Sequence, residues 1–142
     1  MDVADAIPTL ETVTADDIEA FHREREKILA SVRDRLARDV ELDVATRDLP
    51  SARIAAECAK IFAENLYVSV KYGLPGALHD YLAWLRPYLA AHALPPSFIA
   101  KMLSAFQCAA LAFVAEPSNE TVSAALRGLR QADNSLTREA GA

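Results

Sequence analysis

Between Ser97 and about Ala115 the chain carries apolar side chains on nearly every side of a helical wheel. Phe98, Ile99, Met102, Leu103, Phe106, Cys108, Ala109, Leu111 and Phe113 leave only a thin polar edge of Lys101, Ser104 and Gln107. A helix that is apolar all round has to be enclosed, by lipid or by other parts of the protein. Its most apolar stretch, Met102 to Val114, is interrupted by Ser104 and Gln107 and is shorter than the ~20 residues that a membrane span needs. Enclosure must therefore come from the chain itself, and the segment predicts a central helix. With 142 residues one domain suffices, because a chain of this size buries roughly two-thirds of its unfolded surface.

The enclosing elements are helical too. Gly is only 4 of 142 residues while Ala, Leu, Glu and Arg are plentiful, a balance that favours helices over strands. Thr14 and Asp17 have the spacing of a capping box, and Ile18, Phe21, Ile28, Val32 and Leu36 then recur at helical spacing, which predicts a first helix to about Arg38. Val40, Leu42 and Val44 alternate as in a strand, but no second strand pattern exists to pair with them, so this segment reads as a connecting loop. Asp48 before Pro50 caps a second helix whose stripe runs from Ile54 through Cys58, Phe62 and Leu66 to a stop at Gly73. A third helix, Pro75 to about Ala91, contains Pro87, where a bend is expected. Pro95 and Pro96 force a new start for the central helix, and Ser118 or Asn119 caps a fifth. The sequence thus predicts an all-α, five-helix domain over residues 1–142, with flexible ends at 1–13 and 134–142.

Charge and chemistry narrow the function. A net charge of -5 and an acidic N-terminus without an apolar leader argue against nucleic acid, an anionic membrane surface and a signal peptide. Two cysteines, Cys58 and Cys108, both among apolar neighbours, fit buried thiols in a reducing, cytoplasmic setting rather than a disulfide framework. Glu19 and His22 form an E-x-x-H pair, but a di-metal bundle needs a second copy and further carboxylates, so both read as a solvated face and no metal is expected. No paired carboxylates on apolar ground and no phosphate loop occur; Gly73 to Gly76 is an inter-helix turn. The expectation is a protein without catalytic activity.

The most distinctive constellation is on the third helix, where Tyr81, Trp84 and Tyr88 lie at i, i+3 and i+7 and His92 continues the phase of Leu78 and Leu85. Such a stripe serves the core or an interface, or else walls a flat apolar ligand, with His92 as an axial or hydrogen-bonding group. The ligand reading requires an apolar pocket of roughly 300 Å³ or more touching at least two of these four rings.

From about residue 50 to 115 the chain resembles phycobilisome-type proteins and related globin-like sensor domains, including those of bacterial stressosome regulators. The likeness rests on a Cys58-bearing helix, the Gly73 turn, the Asp80-Tyr81-Leu82 segment, the Pro95-Pro96 turn and the long apolar helix after it. In bilin-carrying members an Arg-Asp pair follows the attachment cysteine, whereas Cys58 is followed by Ala59, Lys60 and Ile61. The segment around Tyr81 and Trp84 is also similar to helical modules that precede cobalamin-binding domains. The resemblance implies a globin-like bundle acting as a regulatory or sensory protein through protein contacts, with a small apolar ligand as an option and no required cofactor. The alternative it implies is a carrier of a tetrapyrrole (bilin, haem or cobalamin), with Tyr81, Trp84, Tyr88, His92 and Cys58 as the binding residues. A homodimer is expected through the first helix, whose Ile18, Phe21, Ile28, Val32, Leu29 and Leu36 offer more apolar width than one packing seam requires.

Overall fold

Thr14 opens the first α-helix as the sequence predicts. Its hydroxyl accepts from the Asp17 amide at 3.1 Å, and the Asp17 carboxylate accepts from the Thr14 amide at 2.9 Å. The structure is a computed structural model that describes the backbone of residues 7–45 and 49–141 and the side chains of 10–42 and 52–133. Among the described residues a 3-10 turn, Ile7–Thr12, precedes seven α-helices: α1 (Ala15–Arg23), α2 (Arg25–Arg38), α3 (Val40–Ala45), α4 (Leu49–Lys71), α5 (Pro75–Ala91), α6 (Phe98–Phe113) and α7 (Ser118–Gly141). No strand occurs among them.

Seven helices in place of five reflect two departures. The first predicted helix is broken at Glu24 (φ -99°, ψ 13°) into α1 and α2. The break falls in His22–Lys27, where every residue is polar and no buried side chain clamps the chain between Phe21 and Ile28. The expected loop at Val40–Val44 is instead the helix α3. Asp39 has extended backbone and accepts from the Leu42 amide at 3.1 Å, a side-chain N-cap, while Leu42 is buried. The Asp48 cap lies outside the described residues. At the amino-terminal end, read as flexible, Leu10 and Val13 are buried in the core.

The helix ends follow the punctuation of the sequence. Gly73 adopts a left-handed φ of +62°, and the Leu74 amide donates to the Ser69 carbonyl at 3.0 Å, the hydrogen bond of a Schellman stop. Pro75 then occupies the first turn of α5. The same stop closes α5, where Leu94 N–H donates to the Leu89 carbonyl at 3.0 Å, but the left-handed position is held by Ala93 (φ +58°).

α6 is enclosed along one side over most of its length, but Leu111 and Phe113 at its carboxy-terminal end, expected inside, are 46% and 40% exposed. Phe98, Ile99, Met102, Leu103, Ala105, Phe106, Ala109 and Ala110 are buried, and α6 packs most extensively on α7 and α2. Phe106 meets Phe62 of α4 at 5.1 Å and Phe21 of α1 at 6.4 Å between ring centroids, so three helices converge on one ring. α5 packs chiefly on α4, and Arg86 forms an ion pair with the buried Asp133 of α7.

The stripe of the first predicted helix is used up inside this arrangement. Ile18, Phe21, Ile28 and Val32 are 0–1% exposed, Leu36 is buried and Leu29 packs against the core. α2 contacts both α6 and α4, which explains the apolar width without a second copy. A dimer through this stripe therefore loses its surface. No helix among the described residues is long and apolar enough to cross a membrane.

Candidate functional site

The five residues singled out in the sequence form one continuous chain of contacts. Tyr81 is 9% exposed and its hydroxyl donates to the Cys58 carbonyl at 2.9 Å, anchoring the inner end of a ladder of rings to α4. Outward along α5, the Tyr81 and Trp84 centroids are 6.1 Å apart and Trp84 stacks on Tyr88 at 4.5 Å with 25° between planes. Tyr88 meets His92 at 4.5 Å. The ladder climbs from core to surface, and Trp84 is 51% exposed.

Helical spacing explains why these rings touch: i, i+3 and i+4 neighbours share a face, and offset rings attract beyond the area they bury. Around Trp84 and Tyr88 the exposed neighbours are Ala83, Pro87, Ala90, Ala91, His92 and Ala93, with the exposed Asp80 one turn before Trp84. From Ala83 to Ala93 the one charged side chain is Arg86, which is directed to Asp133. In a chain that is 25% charged, this surface is aromatic and poor in charge, with Asp80 at its amino-terminal edge.

Electrostatics at the inner end are those of a core. Burial pushes the Cys58 thiol above its ordinary pKa, against a smaller opposing contribution from the Tyr81 hydroxyl. Burial likewise holds the Tyr81 phenol well above the ordinary tyrosine range. A bilin thioether needs a reachable thiol with thiolate character, and Cys58 at 4% exposure has neither. At the outer end His92 is exposed, with its ring against Tyr88. Clefts among the described residues open along the seam of α2 with α4 and beside Lys101 on α6, and none of these is lined by Tyr81, Trp84, Tyr88 or His92. The stripe is thus a ladder of rings that climbs from the Cys58 carbonyl to the surface at Trp84.

A second polar constellation was not legible in the sequence. Glu19, read as a solvated surface residue, accepts from the Tyr67 hydroxyl at 2.6 Å and from the Lys71 ammonium. Lys71 also donates to the Tyr67 oxygen at 2.6 Å, and His22 stacks on the Tyr67 ring at 4.0 Å. The Lys71 and Tyr67 donors hold the Glu19 carboxyl below its ordinary range, and burial beside Arg25 lowers His22. The bonds from Tyr67 and Lys71 to Glu19 tie α1 to α4. Tyr67 and Lys71 stand one turn apart on α4, a hint of a joint partner, but only the fold brings Glu19 to them. Among the described residues no three His, Cys, Asp or Glu side chains gather as a metal site requires. No family model, curated protein or solved structure matches the chain.

Proposed function

We propose that this chain is a non-catalytic regulatory or sensory helical protein of globin-like arrangement that acts by protein contact, and that its working surface is the aromatic, charge-poor face of α5. The observation that carries this reading is a half-exposed Trp84 stacked on Tyr88 within Ala83–Ala93, where Arg86 is the one charge and is turned to Asp133. Contiguous apolar surface of this kind, rimmed by polar residues, marks interaction sites, and Trp and Tyr supply large contact area at low cost in side-chain entropy. The globin-like part rests on the order of elements: the Cys58 helix, the Gly73 turn, α5, the Pro95-Pro96 turn and the central α6.

The partner best matched to the face is a second copy of the chain. A molecule of net charge -5 repels its own kind, least of all where the surface holds little charge. A two-fold axis at Pro87 sets Trp84 of one copy over Ala90 of the other and Ala83 over Ala91, large against small and small against small, as an isologous interface of packed helices requires. Light scattering tests it. The chain is expected to give a dimer mass at micromolar concentration and Trp84→Arg a monomer with unchanged helicity. A monomer mass for the unaltered chain, or a dimer that tolerates Trp84→Arg, would remove this reading.

A further inference from the structure

The seam between α2 and α4 does not close. The helices run antiparallel there, with the row Arg25, Leu29, Arg33 and Ala37 facing the row Glu64, Lys60, Ala56 and Ala52. Successive clefts of about 250 Å³, 420 Å³ and 180 Å³ share lining residues from one to the next, making one trough. Alanines at 52, 55, 56 and 63 leave the space that larger side chains would fill, and the floor reaches Leu29, Phe21 and Phe98. Its α2 wall runs from Arg25 to Ala37, a length of ~18 Å at ~1.5 Å per residue, or about three turns of a partner helix.

The rim is charged in a definite pattern. Arg25, Glu26 and Arg33 stand on the α2 wall, and Glu64, Lys60 and Glu57 face them on the α4 wall. Each pair has opposite signs, yet among the described residues no ion pair joins the two walls. The trough holds them apart. The signs alternate along each wall, and in sum the α2 wall is positive and the α4 wall negative by one charge.

We infer that this trough docks an amphipathic partner helix whose apolar stripe sits on the Leu29–Ala56 floor, with acidic residues along the edge facing α2 and basic residues along the edge facing α4. Apolar anchors at i, i+3, i+4 and i+7 match a straight trough of this length. Edges of both signs let the occupant complete ion pairs that the walls cannot make with each other. The site lies on other helices than the α5 face, so it goes beyond the function proposed above and does not depend on it.

Three fluorescent designed helical peptides of about 18 residues, sharing one Leu/Ala stripe, test the inference by anisotropy with the full chain. One has an acidic and a basic edge, one has two acidic edges and one has two basic edges. The mixed-edge peptide is expected to bind about tenfold tighter than either other, the effect of a few exposed ion pairs. Ala56→Trp, at a half-exposed position, fills the trough and should abolish binding. Arg33→Glu, on the exposed rim, should weaken the mixed-edge peptide and favour the two-basic one, whereas Trp84→Arg should leave binding unchanged. Equal affinities for the three peptides, no binding by any of them, or binding indifferent to both Ala56→Trp and Arg33→Glu would overturn the proposal. Loss of binding on Trp84→Arg would move the peptide to α5, and a dimer mass abolished by Ala56→Trp would give the trough to a second copy; either result overturns it.

Discussion

Gly73 and Ala93 perform the same task with unequal chemistry. Both hold a left-handed φ beyond a helix end, and in both the following residue donates back to a carbonyl in the last turn. Glycine has no Cβ to clash there, while an L-residue is strained by roughly 1–2 kcal/mol. Ala93→Gly is therefore expected to stabilise the chain by about 0.5–1 kcal/mol, the relief of strain being partly offset by a more flexible unfolded chain. Urea unfolding checks it, and a loss of stability would show that the Ala93 methyl packs usefully. The two stops were not equally readable. Gly73 announced itself, but nothing about an alanine signals positive φ, and the end of α5 was visible only through Pro95 and Pro96. Asp133 was hidden in the same way, because a lone aspartate late in a helix reads as solvent-facing until Arg86 of another helix is placed beside it. Its burial raises its carboxyl pKa while Arg86 opposes the rise. A carboxyl raised in the folded state withdraws stability as pH climbs through its folded pKa. Removing the Arg86 charge raises it further, so Arg86→Ala should lose more stability at neutral than at mildly acidic pH. Denaturation midpoints measured at both give the sign.

At the scale of elements, strong apolar periodicity translated directly and short segments did not. α4, α5 and α6 lie close to their predicted spans because each carries a long stripe bounded by Gly or Pro. α3 was missed because Val40, Leu42 and Val44 alternate, and six residues cannot separate a period of two from one of 3.6. The overlooked signal was Asp39, three positions before Leu42, whose carboxylate caps the turn and also receives Lys101 of α6 at 2.7 Å. Lys101, and next the Leu42 amide, hold the Asp39 carboxyl below its ordinary range. A lowered carboxyl supplies stability above its unfolded pKa and loses it as pH falls through the folded one. Asp39→Ala should thus cost about 1 kcal/mol, the usual worth of an N-cap, at neutral pH and less below the carboxylate range. The central helix makes a stronger demand. Leu103 and Phe106 are 1% and 0% exposed, and truncating either to alanine should cost about 2–5 kcal/mol through lost burial and a residual cavity. A change below about 0.5 kcal/mol, the range of surface substitutions, would mean that α6 is not enclosed.

For the molecule as a whole, the sequence could say that the rings of α5 share a side but not what that side faces. Helical phase places Tyr81, Trp84, Tyr88 and His92 together whether they wall a cavity or meet solvent, because both need the same spacing. The difference is set by neighbours far along the chain: Cys58 takes the Tyr81 hydroxyl, Asp133 takes Arg86, and the outer rings are left at the surface. The same limit applied to the first helical stripe, whose width suggested a second copy until α4 and α6 were found on either side of it. If copies meet through α5, the association has an unusual dependence on salt. Interfaces held by ion pairs weaken as salt is added, since screening removes their attraction. Here the contact holds little charge, and that of Asp80 has the sign of the whole molecule, which carries -5, so the main electrostatic contribution is repulsion between whole molecules. Raising ionic strength from a few millimolar to about 0.15 M shortens the screening length to ~8 Å, which relieves that repulsion and also favours apolar burial. The dissociation constant from sedimentation equilibrium should accordingly fall several-fold across this range, and Trp84→Arg should abolish association at every salt concentration. A dissociation constant that rises with salt would mean that ion pairs hold the contact, and would move it away from the aromatic face of α5.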